Sequence, residues 1–203
     1  MAQETILQKT ENNNPSLTSS YVLISDNSNP LDPKSYKISL RDLRGDGYGY
    51  WGDSTYTSGS PLVVNNSRVQ LTIDGLASNT ETSYLPKGVT TFWNTSTNKI
   101  VPENVGDGFI GRLDFKAVPS GTDVYFDIQI DIGDGSVIDI FNDVELFPKG
   151  TGVEQKFSIP LPFFSLSTFV SNGGKIYVDT TVGSKNMSVY DIGILVHRTF
   201  AAN

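Results

Sequence analysis

The chain has 203 residues, of which 37% are hydrophobic, 11% aromatic and only 18% charged. That is too apolar and aromatic for disorder, and long enough for one full domain plus a short module. A net charge of −7 and a pI near 4.6 exclude the basic face that nucleic-acid phosphates require, and suit an anionic bilayer surface no better. The absence of cysteine removes disulfides, thiolate nucleophiles and zinc–thiolate centres. A single histidine leaves transition metals without their usual ligands, so neither metal nor cofactor is expected.

Met1 to Pro15 carries no apolar core of a signal peptide, and no run approaches the ~20 apolar residues of a membrane helix. Exit from a cell by lysis or inside a particle is therefore expected, without membrane insertion. Residues 1–20 are polar and rich in Asn, Ser and Thr, which predicts an arm ordered only by a partner. Residues 21–59 read as a small β module. Short strands at Tyr21–Ser25 and Tyr36–Leu40 flank Asn29-Pro30 and Asp32-Pro33, where proline blocks helix. The glycine- and aromatic-rich stretch Gly45–Gly59 is expected to be the hinge that closes this module.

Residues 60–203 alternate strand after strand. Arg68–Ile73 ends at the turn signal Asp74-Gly75. Phe109–Val118 alternates loosely. Val124–Ile132 is the cleanest run, with Val124, Phe126, Ile128, Ile130 and Ile132 on one face and Asp127, Gln129 and Asp131 on the other, the mark of a sheet with one wet side. Gly133-Asp134-Gly135-Ser136 turns the chain, and Val137–Leu146 returns. Phe157, Ile159, Leu161 and Phe163 alternate again, but Pro160 and Pro162 cannot donate to a ladder, which predicts an edge or a bend. Lys175–Val182 and Met187–Phe200 follow, the latter with Tyr190, Ile192, Ile194 and Val196 as its inward row. No ten-residue stretch has a helical stripe. The expected fold is an all-β, antiparallel β-sandwich, jelly-roll-like, behind a short N-terminal β module and arm.

Residues that could carry chemistry are few. His197 has no G-x-S-x-G partner motif for a nucleophilic triad and reads as partly buried or interfacial. The carboxylate pairs Asp46 with Asp53, Asp127 with Asp131, and Asp143 with Glu145 lie on turns or wet strand faces, with no spacing that marks a glycosidase. Asp131–Gly135 fails the EF-hand calcium-loop pattern and fits a tight turn, with a structural Ca²⁺ as the lesser reading. Arg44-Gly45-Asp46 reads as turn chemistry. No catalytic residue is assigned. The aromatic residues Tyr50, Trp51 and Trp93, beside Asn and Asp, suit stacking on a host glycan. Core or subunit-interface packing of the same rings is the favoured reading.

Tyr21-Val22-Leu23-Ile24-Ser25-Asp26, then Lys37-Ile38-Ser39-Leu40 and Asp42-Leu43, resemble a short module near the N-terminus of tailed-bacteriophage virion proteins. The resemblance implies an attachment role for Tyr21, Leu23, Ile24, Ile38, Leu40 and Leu43. The β-domain ending in VYDIGILVHRTFAAN is similar in pattern to trimeric jelly-roll domains of phage fibres, knobs and capsid decorations. This implies a homotrimeric, non-enzymatic component of the virion surface, made in the host cytoplasm, released by lysis and docked on other virion proteins of capsid or tail. Phe157–Phe164 carries more apolar residues than one sandwich needs and suits a subunit contact.

Overall fold

A computed structural model describes residues 21–26, 34–39, 45–122, 124–146, 150–180 and 185–202. The arm expected at 1–20 lies outside the described residues, as do Leu40, Leu43 and Arg44. The strands β1 (Tyr21–Asp26) and β2 (Lys34–Ser39) form the expected antiparallel pair, with Tyr21 opposite Ser39, Ile24 opposite Tyr36, and Ile38 opposite Val22.

The main body runs through β3 (Gly47–Gly52), β4 (Leu62–Val64), β5 (Val69–Gln70), β6 (Trp93–Asn94), β7 (Lys99–Ile100), β8 (Gly108–Pro119), β9 (Tyr125–Asp131) and β10 (Asp139–Leu146). It continues through β11 (Gln155–Phe164), α1 (Ser167–Asn172), β12 (Lys175–Thr180) and β13 (Met187–Phe200). One sheet has the order β10-β9-β12-β5, the other β11-β8-β13-β3, with β4 on the remaining length of β13. The pairing is nested: β3 with β13, β5 with β12, β8 with β11, and β9 with β10, all antiparallel. First strand against last, working inward to a hairpin, is jelly-roll winding.

The two sheets share one apolar core, in which Phe115 of β8 meets Phe126 of β9 edge to face at 5.5 Å, and Phe126 meets Phe157 of β11 at 5.0 Å. Val124, Phe126, Ile128, Ile130 and Ile132 are all buried, as their alternation requires. β11 is an edge strand, so Pro160 and Pro162 face solvent without breaking a ladder.

Two expectations need correction. First, β3 pairs with β13 from Gly47 opposite Arg198 to Gly52 opposite Gly193, so Gly47–Gly52 belongs to the sandwich and is no hinge. Glycine here admits close neighbours: a Cβ at Gly49 would lie 2.5 Å from the Trp51 ring. Second, Tyr190 is not in the inward row of β13. The register shifts between Tyr190 and Gly193, around Asp191 at φ 51°, so Met187 and Val189 point inward before the bulge and Ile192, Ile194 and Val196 after it. A six-residue helix, too short for the ten-residue stripe the sequence lacks, sits between β11 and β12. α1 buries Phe169 beside Phe163 and ends at Gly173, whose N–H donates to the Phe169 carbonyl at 2.8 Å.

Candidate functional site

The outer face of the β11–β8–β13–β3 sheet is built in cross-strand rows. At one end, Phe164 and Phe200 flank Gly108. The next row is Pro162, Ile110, His197 and Tyr48, followed by Pro160, Arg112, Leu195 and Tyr50. Phe164 is 62% exposed, Phe200 61% and Ile110 50%, high values for large apolar side chains in register on one face. Tyr84, from the loop whose Glu81 and Tyr84 backbone groups bond along the edge of β3, stacks on Tyr48 at 5.1 Å and 13°. His197 meets Tyr48 edge-on at 6.0 Å.

From Arg112, in the last of these rows, the face becomes polar. Arg112 donates from Nε and Nη2 to Asp114 Oδ2 at 3.0 and 2.9 Å, while the Ser158 hydroxyl donates to Asp114 Oδ1 at 2.6 Å. Lys116 pairs with Asp191 at 2.7 Å, and the Tyr190 hydroxyl donates to Glu154. The sheet is thus apolar at one end and ion-paired at the other.

Tyr50 sits at the junction of the two halves. Gly193 lies beneath its hydroxyl, where a Cβ would come within 2.1 Å. Burial and then the Asp114 carboxylate push the Tyr50 phenol above its ordinary value, so the ring stays a neutral hydroxyl donor. The hydrogen bond to Glu154, reinforced by burial, does the same to Tyr190.

Of the three aromatics proposed for glycan stacking, only Tyr50 is on this surface. Trp51 is 4% exposed and points to the opposite side of β3. Trp93 is 1% exposed, and its indole N–H donates to the Ile73 carbonyl at 3.0 Å. Both indoles are core residues with no open π face, which corrects the stacking expectation for them. The cause is packing: each ring fills the sandwich interior, and the buried Trp93 N–H needs a partner that only the main chain supplies.

The carboxylates singled out in the sequence are dispersed. Asp53 accepts from the N–H groups of Tyr56 at 2.7 Å and Asp74 at 3.2 Å. Asp131 accepts from Gly133 and Ile138 N–H at 2.8 and 3.0 Å, which builds the β9–β10 turn. Asp127 faces Asp179 across the ladder rather than pairing with Asp131. Sequence reasoning also missed Tyr84, whose loop has no strand signal, and the buried Arg198 and Asp107. Among the described residues, no group of three or more His, Asp or Glu side chains is placed to hold a metal, and no helix is long and apolar enough to cross a membrane.

No protein-family model and no curated protein matches the chain. Among solved structures, Eiger, a TNF of S. frugiperda, is 8% identical, covers 79% of this chain and 96% of its own, and superposes with a TM-score of 0.45. The PRD1 vertex protein P5 is 10% identical over 88% of this chain and 82% of its own, at a TM-score of 0.38. VP2 of the infectious bursal disease virus subviral particle is 10% identical over 85% of this chain and 42% of its own, at 0.30. At these identities and TM-scores each is a likeness of β-sandwich shape and no more.

Proposed function

We propose that the chain is a non-enzymatic structural protein of a bacteriophage particle. In this reading it is a surface decoration, fibre or knob that docks through its N-terminal region and presents a trimeric β-sandwich. One observation carries the assembly part: the apolar rows of Phe164 and Phe200 and of Ile110 and Pro162 lie in register, bordered by Leu195 and Tyr50 beside Arg112, on an otherwise hydrated sheet. Large aromatic and aliphatic side chains gathered on one face, with ion pairs beyond them, suit the core and rim of a subunit interface. The attachment part rests on the phage-like Tyr21–Asp26 and Lys37–Leu43 segments; the first is β1, and Lys37–Ser39 of the second lies in its partner β2. Trimeric assembly and a virion location come from the sequence resemblance.

The test is the oligomeric state of the full chain by light scattering and native mass spectrometry. A trimer is expected, dissociated by Ile110→Glu or Phe164→Glu. Both residues are at least half exposed, so the isolated fold tolerates the charge. A wild-type monomer at micromolar concentration, or a trimer indifferent to both changes, refutes the assembly claim. Antibody labelling of particles addresses location.

A second reading keeps the glycan alternative, in which a host sugar is bound on the capsid or tail. Tyr48 and Tyr84, stacked and next to Tyr50 and His197, offer rings with hydroxyl edges. A glycan-array signal lost in Tyr84→Ala and retained in Trp93→Phe would favour it. A carboxylate-dependent glycan hydrolase is the weakest reading, because Asp53 and Asp131 are occupied by backbone N–H groups.

A further inference from the structure

The opposite surface of the sandwich, the outer face of the β10–β9–β12–β5 sheet, has a different character. Asp127 and Gln129 of β9 point outward beside Tyr177 and Asp179 of β12, with Asp179 directly opposite Asp127 and Tyr177 opposite Gln129. Directly opposed side chains have Cβ atoms about 4.5–5.5 Å apart, and like charges there repel. Among the described residues, the cations on this side are engaged elsewhere. Arg68 lies over the Tyr177 ring at 4.3 Å, pairs with Asp139 and sits 3.6 Å from Asp131. Lys175 and Lys99 both hold Asp134 at 2.9 Å. Burial, and then the Asp179 carboxylate, raise the Asp127 carboxyl above its ordinary value, and no base opposes them. Asp127 Oδ1 and Gln129 Oε1 are buried acceptors without a hydrogen-bond donor, and Gln129 is only 5% exposed. Native interiors seldom leave such oxygens unpaired.

We propose that Asp127, Asp179 and Gln129 form a divalent-cation site whose natural occupant is Ca²⁺, held by two carboxylates and one amide oxygen with water completing the shell. An all-oxygen set without histidine or cysteine selects a hard cation over zinc or copper. One ion relieves both defects at once: it neutralises the opposed carboxylates and satisfies the stranded oxygens. The site lies on the sheet opposite the apolar rows, so its test is independent of the assembly proposal.

The experiment is thermal unfolding of the full chain with chelator and with excess CaCl₂, beside Tb³⁺ luminescence sensitised by Tyr177. Calcium at about 100-fold over its dissociation constant is expected to raise the melting temperature by roughly 5–11 °C. Tb³⁺ should give a saturable signal that Ca²⁺ displaces. The isosteric double variant Asp127→Asn/Asp179→Asn should melt at or above wild type in chelator, since the repulsion is gone, and should lose the calcium response and the Tb³⁺ signal. Asp179→Asn alone, at a half-buried position, should weaken both responses. Equal calcium shifts in wild type and variants, no shift in wild type, or a Tb³⁺ signal that survives the substitutions would overturn the site.

Discussion

Removing the Asp107 carboxylate tests the end of the sandwich where β8 begins and β13 ends. Arg198 and Asp107 are both buried, with Arg198 Nη1 3.4 Å from Asp107 Oδ2 and 3.1 Å from Glu103 Oε2. Arg198 Nε donates to the Gly45 carbonyl at 2.8 Å, and Asp107 Oδ1 accepts the Ala202 N–H at 2.8 Å. The pair therefore ties the start of β3 to the end of β13. Asp107→Ala strands a buried guanidinium and leaves the Ala202 N–H without its acceptor. Breaking a buried pair by deleting one partner costs about 3–5 kcal/mol. At roughly 2–4 °C per kcal/mol for a chain of this size, the melting temperature should fall by roughly 6–20 °C. The lower half of that range is expected, because Glu103 still faces Arg198. The assay is circular dichroism melting at fixed protomer concentration, since any assembly makes the midpoint concentration-dependent. Asp107→Leu combined with Arg198→Met should recover most of the loss, because an apolar pair of similar volume carries no desolvation penalty. A single-variant shift below about 2 °C, or a double variant as unstable as the single, refutes the reasoning.

Gly193→Ala should destabilise the fold by about 1–3 kcal/mol through the clash with the Tyr50 hydroxyl and ring, and Tyr50→Leu in the same chain, which removes both, should restore part of it; a denaturant double-mutant cycle reads the coupling. Iodide should quench little of the tryptophan fluorescence, and added saccharides should leave the emission maximum unmoved, because Trp51 and Trp93 are both core residues. Burial pulls the Asp74 carboxyl upward, but the Ser54 hydroxyl, the N–H groups of Leu76 and Ser54, and the Thr55 hydroxyl together hold it below its ordinary value. A carboxyl depressed in the folded state contributes stability that is present above its unfolded pKa and lost as pH falls through its folded one, so Asp74→Asn should flatten the acid limb of a stability–pH profile. Asp127, raised in the folded state, acts with the opposite sign: its contribution is full below the unfolded value and is lost as pH rises through the folded one.

The strands legible in the sequence are those whose alternation is uninterrupted. Val124–Ile132 and Phe157–Phe163 could be oriented residue by residue, because burial on one face of a sheet has a strict period of two. β13 defeats that rule midway. A single residue, Asp191, adopts a left-handed conformation, and from there the parity reverses, so Tyr190 lies outside although Ile192 lies inside. The Gly45–Gly59 stretch misled for a related reason. Its glycines suggested a flexible hinge, but Gly49 is placed to let Trp51 pack, and Gly52 takes its place in the β13 ladder. Trp93 looked exposed because Asn94-Thr95-Ser96 follows it; the partner that buries its N–H, Ile73, is set by a chain crossing that no local pattern encodes.

The apolar rows were the least legible feature, and the reason is geometric. Each row takes one residue from each of several strands far apart in sequence: Tyr48, Ile110, Pro162 and His197 meet only through the β3–β13–β8–β11 register. Within its own strand each residue looks ordinary. Ile110 resembles a lapse in the alternation of β8, and Pro162 an interruption of β11. Aromatic content could not separate a second core layer from an interface, since both collect tyrosine and phenylalanine. What separates them is the remainder of the same face. If those rows were destined to be covered by more of this chain's own core, the face would stay apolar along the sheet. Instead it gives way to the Arg112–Asp114–Ser158 and Lys116–Asp191 pairs, which keep solvent at that end. A half-apolar, half-ion-paired sheet has the composition of a surface that another molecule covers in part, and that contrast is the physical ground for placing the contact at Ile110 and Phe164.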